Sequence, residues 1–392
     1  MDNDQMGTGP EPRKIRVAFF ISTMDVGGAE RVVANIIKNI DRRRFLPVLV
    51  LFKKRGGLLA ELPEDVTILS LKERRGEPWY GFHWLNLLRQ FCRTVKTIGP
   101  DVLVSFTWYP NAISIIARIL RKIRCRVVVS ERTSTFKYEG MFANGLRTLT
   151  LRYLYPHADL IITPSGGIAD HLASLRRIEP GRIRVIHNPV EIPVIKELSK
   201  QSPSDEWFDN RRNVIISVGR LGPEKGFDYL IRSTSLLIRD GIDCSLVILG
   251  EGVQRQKLQA LAGELGIAER VAMPGFQKNP YPYLANSTLF VLSSLYEGFP
   301  NALLEAMSLG VPSVATRCPT GPAEIIEDGV DGVLVAPADE RALAEAMRRL
   351  LLDEDLRKRL GGAGEKRARD FRAQPIVSRY EALIRGVMKG SA

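Results

Sequence analysis

Short apolar runs recur along the chain, and most are followed by a turn and then by a segment with helical periodicity. Runs that are apolar on both faces of a strand are typical of parallel sheets buried between helices. In the first half they cover residues 14–22, 47–52, 101–106, 125–130 and 159–165, and the segment 184–190 closes this half. In the second half they cover residues 214–219, 245–249, 271–275, 289–292, 311–315 and 333–335. The repeated alternation of strand and helix predicts an α/β fold.

Two domains are predicted, because a chain of 392 residues is too long for one compact core. A polar stretch without periodicity, 191–213, separates the two sets of strands and is predicted to be a linker. The first domain is therefore expected at 1–190 and the second at 214–374. Helices are expected at 338–352 and 355–371, and a last helix within 375–392 ends the chain.

Two glutamates, Glu297 and Glu305, follow the predicted strand at 289–292. Glu297 lies in a loop, and Glu305 lies on a helix that begins at about Pro300. Both carboxylates are therefore expected at the carboxyl edge of a parallel sheet, where open α/β folds bind ligands. Glu305 shares a polar helix face with Asn301, so a merely solvated position is the alternative that the periodicity leaves open.

Glycines and basic residues stand before two of the predicted helices. In the second domain a strand ends at Gly219, and Arg220 and Lys225 precede the next helix. One planar guanidinium and one mobile ammonium at a helix entrance suit a diphosphate.

In the first domain Gly27 and Gly28 precede a helix at 29–39. A glycine pair there lets backbone N–H groups approach a phosphate, although a turn in any α/β domain has the same composition. The loop does not match G-x-G-x-x-G, and no acidic residue ends the next strand, so a dinucleotide dehydrogenase is disfavoured.

The net charge of +12 belongs to the first half of the chain. Residues 1–190 contain 30 Lys and Arg against 17 Asp and Glu, whereas the remainder contains 26 against 27. The first domain is therefore expected to meet an anionic partner: a lipid surface, a nucleic acid or a phosphorylated acceptor. No helix-turn-helix, finger or RNA-recognition motif supports nucleic acid.

Segments 72–96 and 136–155 interleave basic and aromatic residues. This composition suits an interface with anionic lipid, where rings lie at headgroup depth. A surface helix whose apolar residues all point inward is the alternative.

Several features argue against a disulfide framework, a signal peptide, a membrane span and a metal site. The four cysteines are scattered without paired spacing, which fits a reducing cytoplasm. The N-terminus lacks the apolar core of a signal peptide, and no apolar run approaches the ~20 residues needed to span a bilayer. The acidic residues at 353–355 are explained as the solvated flank of a helix. The histidines lack metal-ligand spacing and are expected to be structural; they are His83, His157, His171 and His187.

The sequence SLYEGFPNALLEA at 294–306, followed by GVP and by CPTGPAE at 318–324, resembles the signature of retaining nucleotide-sugar glycosyltransferases. The pattern G-R-x-x-x-x-K-G at 219–226 and the loop GGAER at 27–31 are similar to the same family. The resemblance implies the GT-B fold, in which two Rossmann-like doubly wound domains face each other across a cleft. It also implies that the C-terminal helix crosses back to the first domain.

The resemblance assigns roles to individual residues. It implies that Glu297 meets the donor sugar, that Glu305 accepts hydrogen bonds from the ribose, and that Arg220 and Lys225 hold the diphosphate and steady the leaving group. Many relatives carry a histidine near the reacting sugar where this chain has Arg132, next to Glu131, and the group that contacts the sugar there is left open. The other residues implied to lie at the donor are Gly27, Gly28, Gly219, Gly250, Glu251, Gly252, Gly298, Phe299, Pro300, Asn301, Thr320 and Gly321.

The sequence looks most like bacterial enzymes that extend lipid-linked oligosaccharides. This implies transfer of a hexose or N-acetylhexosamine from a nucleotide-sugar, with UDP favoured, to a polyprenyl-diphosphate-linked glycan with retention of configuration. No essential metal is expected, and the basic first half suggests a cytoplasmic enzyme peripheral to the inner face of the membrane. A nucleotide-sugar epimerase and a basic nucleic-acid-binding protein remain alternatives, whereas the cofactor-lysine context of a phosphorylase is not seen.

Overall fold

The computed structural model of the chain describes residues 13–71, 83–132, 141–175, 177–203, 208 and 213–390. It contains two parallel sheets, each covered by helices on both faces. The predicted GT-B architecture of two Rossmann-like domains is confirmed. Parts of the two basic aromatic segments, at 72–82 and 136–140, lie outside the described residues.

Strands and helices of the first domain alternate along the chain. They are β1 (Ile15–Ile21), α1 (Gly28–Asn39), β2 (Phe45–Leu51), β3 (Thr67–Ser70), α2 (His83–Ile98), β4 (Val102–Phe106), α3 (Trp108–Ile119), β5 (Arg126–Ser130), α4 (Met141–Tyr153), β6 (Leu160–Thr163), α5 (Gly166–Ser174) and β7 (Ile183–Val185). The sheet order is β3-β2-β1-β4-β5-β6-β7, with every pair parallel.

The second domain repeats this design. After α6 (Ile192–Leu198), its elements are β8 (Val214–Val218), α7 (Phe227–Arg239), β9 (Ser245–Leu249), α8 (Arg255–Glu264), β10 (Val271–Gly275), α9 (Tyr281–Ala285), β11 (Leu289–Leu292), α10 (Asn301–Ser308), β12 (Ser313–Thr316), α11 (Pro322–Ile325), β13 (Val333–Val335), α12 (Glu340–Leu352), α13 (Glu354–Ala368) and α14 (Ala373–Lys389). The sheet order is β10-β9-β8-β11-β12-β13, again parallel throughout.

The central strand β1 shows why these runs form buried parallel strands. Val17 and Phe19 belong to the core on one face of the sheet, and Ala18 and Phe20 belong to the core on the other. All four side chains are fully buried. Because successive side chains point to opposite faces, a strand covered on both faces must be apolar throughout.

The last helix, α14, packs on the first domain as predicted. Its residues Ile376, Val377 and Tyr380 join the first-domain core that includes residues of α1. A short parallel bridge between Val190 and Arg372 marks the place where the chain returns. The C-terminal segment therefore connects the two domains close to the point where the chain first leaves the first domain.

The predicted linker differs from the structure, because 191–213 contains the helix α6. Ile192 and Ile195 on this helix are buried in the second-domain core next to Phe371. The helix has seven residues, too few to show a periodicity in a polar segment. The edge strand β3 has four residues, and sequence analysis missed it for the same reason.

Candidate active site

The candidate site lies where the chain order of each sheet reverses. In the first sheet this point is between β1 and β4, and in the second it is between β8 and β11. Loops from neighbouring strands diverge at such a point, and doubly wound folds bind ligands in the crevice that results. The two crevices face each other and form one cleft of about 1390 Å³.

Most of the predicted site residues line this cleft. They are Gly27, Gly28, Arg132, Gly219, Arg220, Lys225, Gly250, Glu251, Gly252, Glu297, Gly298, Phe299, Pro300, Asn301 and Glu305. The predicted residues that do not line it are Glu131, Thr320 and Gly321.

The first-domain wall of the cleft includes the N-terminus of α1. Gly27 precedes the helix with extended backbone, and Gly28 is its first residue. Glu30 bends back over this turn, so that a Cβ atom on Gly27 would lie 2.3 Å from its Oε2 atom. Burial raises the pKa of Glu30. Glycine at position 27 therefore makes room for the Glu30 carboxylate, an anionic group at the helix N-terminus, which the N–H groups and the helix dipole favour.

Glycines let two loops of the second domain touch at the opposite wall. Gly250 has a φ angle of 142°, and a Cβ atom there would lie 1.9 Å from the carbonyl oxygen of Gly219. A Cβ atom on Gly252 would lie 2.4 Å from the carbonyl oxygen of Leu221. Side chains are excluded at both positions, so the backbone after β9 lies directly beside the loop that carries Arg220.

The loop between β8 and α7 carries two cationic side chains, and each is paired with a carboxylate. The Nζ atom of Lys225 lies 2.6 Å from Oε1 of Glu297, and the hydroxyl of Ser294 donates to the same oxygen at 2.6 Å. Arg220 pairs with Glu224 at 2.7 Å, with 71% of its side chain exposed. An exposed pair is worth only about 0–1 kcal/mol, so the pairing with Glu224 holds this guanidinium weakly. The lysine, in contrast, is fixed inside the cleft.

Glu305 lies on the cleft side of α10, half-buried against the first domain rather than on a solvated face. Burial raises the pKa of its carboxyl group, and the Arg31 guanidinium of α1 opposes that increase. Burial also raises the pKa of Tyr281, and the neighbouring Glu305 adds to it. An ionised carboxylate here presents two acceptor oxygens side by side, as a diol requires.

Arg132 lies where the two domains meet. Its Nη2 atom donates to Oδ1 of Asn188, and its Nη1 atom donates to the hydroxyls of Ser130 at 3.4 Å and Tyr380 at 3.5 Å. Among the described residues, these neutral oxygens are the acceptors of its hydrogen bonds. Burial lowers the pKa of Arg132. The guanidinium therefore links β5, the segment after β7 that contains Asn188, and α14. This is the corner where many relatives have a histidine.

The expectation that Glu131 lies at this corner of the cleft is wrong, because its side chain turns into the first domain. Arg147 donates to its Oε1 atom at 2.7 Å, and the hydroxyl of Tyr155 donates to Oε2. The carboxylate is 1% exposed, so it secures α4 to β5 rather than meeting the cleft.

Thr320 and Gly321 also lie behind the cleft surface. The hydroxyl of Thr320 donates to the carbonyl oxygen of Glu297, and Gly321, with a φ angle of 93°, packs against Pro300. These two residues support the loop that carries the donor motif instead of lining the cleft.

Sequence reasoning missed Asn188, which follows β7 and lines the cleft. Its amide donates to the carbonyl oxygen of Phe299 at 3.1 Å and to Oδ1 of Asn301 at 2.5 Å. Asn301 in turn donates to the carbonyl oxygen of Gly28 at 3.2 Å. The only signal was its place in the segment 184–190 that closes the first domain, which does not reveal a partner in the other domain.

Glu324 of the quoted CPTGPAE segment makes another contact between the domains. Its Oε2 atom accepts the N–H of Gly166 at 2.8 Å and lies 3.4 Å from Nε2 of His187. The His187 ring stacks on Phe299, with centroids 4.8 Å apart and planes at 12°. His187 is therefore a packing residue of the domain interface.

The described residues contain no group of three or more His, Cys, Asp or Glu side chains arranged to hold a metal ion. Within the same ranges no helix has both the length and the apolar character that crossing a membrane requires.

Comparison with known proteins gives two family models that together span most of the chain. Residues 199–367 match the model of glycosyl transferases group 1, and residues 26–192 match that of glycosyltransferase family 4. The boundary between the two matches lies at α6.

Several characterised proteins are similar over nearly their whole length. The N-acetylgalactosamine-N,N'-diacetylbacillosaminyl-diphospho-undecaprenol 4-alpha-N-acetylgalactosaminyltransferase of Campylobacter jejuni is 30% identical over 362 residues, covering 91% of this chain and 95% of that protein. The lipopolysaccharide core biosynthesis glycosyltransferase LpsD of Rhizobium meliloti is 33% identical over 369 residues, covering 93% and 96%. Among solved structures, Anabaena HepE in complex with UDP and glucose has a TM-score of 0.80 at 21% identity, covering 95% of this chain and all of that one.

Proposed function

Because the chain belongs to the GT-B glycosyltransferases, we propose that it moves a hexose or N-acetylhexosamine from a UDP-sugar to a polyprenyl-diphosphate-linked glycan, with retention of configuration. The observation that carries this proposal is the meeting of two cations and two carboxylates in one cleft between the domains. We assign the acceptor to the first domain, 1–190, and the nucleotide-sugar to the second, 214–374.

The cations suit the departing diphosphate. As the bond from the sugar C1 atom to the phosphate oxygen breaks, its electron pair moves to that oxygen. Lys225 and Arg220 would offset the growing negative charge, the work that a divalent cation does in other enzymes. An acceptor hydroxyl forms the new bond to C1 and gives up its proton, and the diphosphate oxygen that leaves is the base nearest to it. Attack on the same face that the diphosphate leaves retains the configuration.

The carboxylates suit the hydroxyls of the donor. Glu297 lies beside the Lys225 ammonium, so a diphosphate held by the lysine places its sugar next to the glutamate. Glu305 lies on the next helix turn after Asn301, where it would accept hydrogen bonds from the ribose. Charge-assisted hydrogen bonds of this kind contribute about 1.5–3 kcal/mol each.

The acceptor is proposed from the relatives and from the basic first domain. The Campylobacter relative is named for a substrate on diphospho-undecaprenol. In this chain Trp84 and Leu85 are exposed at the start of α2, which also carries Arg89 and Arg93. An exposed aromatic and apolar end beside cations suits the headgroup region of an anionic membrane. We therefore propose peripheral binding at the cytoplasmic face.

A transfer assay tests the function. Radiolabelled sugar from UDP-glucose, UDP-galactose and their N-acetylhexosamine counterparts would be offered to a polyprenyl-diphosphate-linked glycan, with and without EDTA. We expect a labelled lipid product with one donor, unaffected by EDTA, and an α-linkage from an α-donor by NMR. A converted nucleotide-sugar without acceptor would instead indicate an epimerase, and a lost activity in EDTA would contradict metal independence.

Vesicle sedimentation tests the membrane part separately. We expect the protein to sediment with anionic vesicles at low ionic strength and to be released as salt increases, because charge attraction is screened. Failure to bind anionic vesicles at low salt would remove the membrane proposal and leave the donor chemistry untouched.

A further inference from the structure

The helices α1 and α10 face each other across the cleft, one from each domain. Their first turns touch, since Nδ2 of Asn301 donates to the carbonyl oxygen of Gly28 at 3.2 Å. Three residues beyond Gly28 on α1 is Arg31, and four residues beyond Asn301 on α10 is Glu305. Residues three or four apart lie on the same helix face, so Arg31 and Glu305 each lie one helix turn beyond this contact, where their charges interact. Both line the cleft.

Arg31 is anchored by its own domain. Its Nη1 atom lies 2.8 Å from Oε2 of Glu61, and Nζ of Lys38 lies 2.7 Å from the same oxygen. The side chain of Arg31 is 19% exposed, so its charge is little screened by solvent. Because Glu61 shares one negative charge between Arg31 and Lys38, it neutralises the charge of Arg31 only in part. Arg31 can therefore interact with a second anion. Glu305 is the carboxylate opposite it.

The charged and titratable groups around Glu305 come from several elements. Arg31 of α1 and Tyr281 of α9 interact with it, and Glu61 interacts with both of those residues. Helices α6 and α13 also pack against α10, and their charges Lys196 and Glu365 pair with each other at 2.5 Å near the far end of that helix. Arg31 is therefore the cation that acts on Glu305.

We infer that Arg31 is a positioning residue that crosses the cleft to keep the Glu305 carboxylate ionised and turned toward the donor ribose. This inference rests on the proposed nucleotide-sugar donor and extends it to a residue of the acceptor domain. Burial raises the pKa of the Glu305 carboxyl and so favours its protonated form, and the neighbouring guanidinium opposes that tendency. A protonated carboxyl offers one donor and a weaker acceptor where two ribose hydroxyls need two acceptors.

The consequence is that ribose binding depends on how the domains are placed. When α1 lies against α10, the Arg31 guanidinium favours the ionised form of Glu305. If the domains separate, the carboxylate loses its cation. Donor affinity is therefore linked to domain closure through the pair Arg31 and Glu305, without a direct contact between Arg31 and the nucleotide.

A pH series on the wild type and five variants tests the inference. The affinity for UDP-glucose, whose diphosphate does not titrate near neutrality, would be measured by calorimetry from pH 5.5 to 8.5. The proteins are the wild type, Arg31→Gln, Glu305→Gln and the double variant, with Lys38→Gln as matched control because Lys38 contacts the same Glu61. We expect Arg31→Gln to move the loss of affinity to higher pH, by about one unit for each tenfold loss at low pH.

The remaining variants distinguish an electrostatic role of Arg31 from a structural one. Glu305→Gln and the double variant should bind weakly with no such pH dependence, and Lys38→Gln should follow the wild type. Arg31→Lys, which restores a cation, should recover part of the profile. The inference is overturned if Arg31→Gln loses the same factor at every pH, because that pattern indicates a structural role alone.

A ligand-free experiment separates this inference from the proposed donor. If the wild type does not bind UDP-glucose, the donor proposal fails, and thermal unfolding of the same variants at pH 8 and pH 5 decides the rest. We expect Arg31→Gln to lower the Tm more when residue 305 is Glu than when it is Gln, at pH 8 and much less at pH 5. Equal shifts in both backgrounds at pH 8 would show that the two side chains are not coupled.

Discussion

The carbonyl oxygen of Arg132 lies so close to Gly298 that a Cβ atom on this glycine would be 2.2 Å away. Arg132 follows β5 of the first domain, and Gly298 lies in the donor-motif loop of the second. The contact is between the domains, and backbone on one side cannot give way as a side chain would.

Gly298→Ala should therefore hold the domains apart and lower kcat/KM. A displacement of the order of 1 Å at an active site costs roughly a hundredfold in rate. Steady-state kinetics would measure the effect, and calorimetry would show that each domain remains folded. The control is Gly362→Ala on α13, where a Cβ atom meets nothing within 4 Å. Wild-type kcat/KM in Gly298→Ala would mean that the active arrangement does not need this close contact between the domains.

Asn188 gives a second test of the domain contact. Asn188→Ala removes the hydrogen bonds to the carbonyl oxygen of Phe299 and to Asn301, and it leaves the Arg132 guanidinium without one acceptor. Unpaired buried polar groups cost about 1–3 kcal/mol each, so both Tm and kcat/KM should fall.

The matched control for this variant is Asn286→Ala. Asn286 is exposed, and among the described residues its side chain donates to the carbonyl oxygen of Pro282 within its own helix region. A comparable loss in both variants would assign the effect to asparagine removal in general rather than to the joint between the domains.

How far the sequence leads can be judged from these residues. Buried parallel strands have a local pattern, and glycine loops next to cations have a local motif, so both sheets and the cleft residues Lys225 and Glu297 could be predicted. The partner of Asn301 could not, because Gly28 and Asn188 are more than a hundred residues away in another domain. Glu131 was misplaced since its neighbour Arg132 lines the cleft, and nothing local reveals which of two adjacent side chains turns inward.

The contact of Glu324 with the first domain should make stability depend on pH. Although burial raises the pKa of Glu324, hydrogen bonds from His187 and from the backbone N–H groups of Gly166 and Gly167 lower it overall. A carboxyl group whose pKa is lower in the folded protein stabilises the fold above its unfolded pKa. That stabilisation is lost as the pH falls through the folded value.

Glu324→Gln should therefore lower the Tm at pH 7 by a few degrees, since about 1 kcal/mol corresponds to 2–4 °C for domains of this size. The difference from the wild type should shrink toward pH 3. Scanning calorimetry across this range, with the exposed neighbour Glu327→Gln as control, would measure it. A constant difference at all pH values would show that the ionised form is not what stabilises the interface.

A double-mutant cycle on Lys225 and Glu297 separates their contribution to stability from their contribution to UDP binding. With side chains 20% and 9% exposed, each charge depends on the other in the ligand-free protein. Lys225→Gln should lower stability by about 1–3 kcal/mol, because it leaves Glu297 with the Ser294 hydroxyl as its remaining partner in the described structure. Glu297→Gln should do the same to the lysine, and the double variant should recover much of the loss, since removing both charges removes the need for pairing.

Affinity for UDP should follow a different order. Lys225 is proposed to hold the diphosphate, so binding should be weak in Lys225→Gln and should remain weak in the double variant, whereas Glu297→Gln frees the ammonium and should bind UDP at least as well as the wild type. Chemical unfolding and calorimetric titration of the four proteins give both quantities, with Lys257→Gln on the exposed side of α8 as control. If UDP affinity recovered together with stability in the double variant, Lys225 would be a structural partner of Glu297 and the diphosphate site would have to lie elsewhere in the cleft.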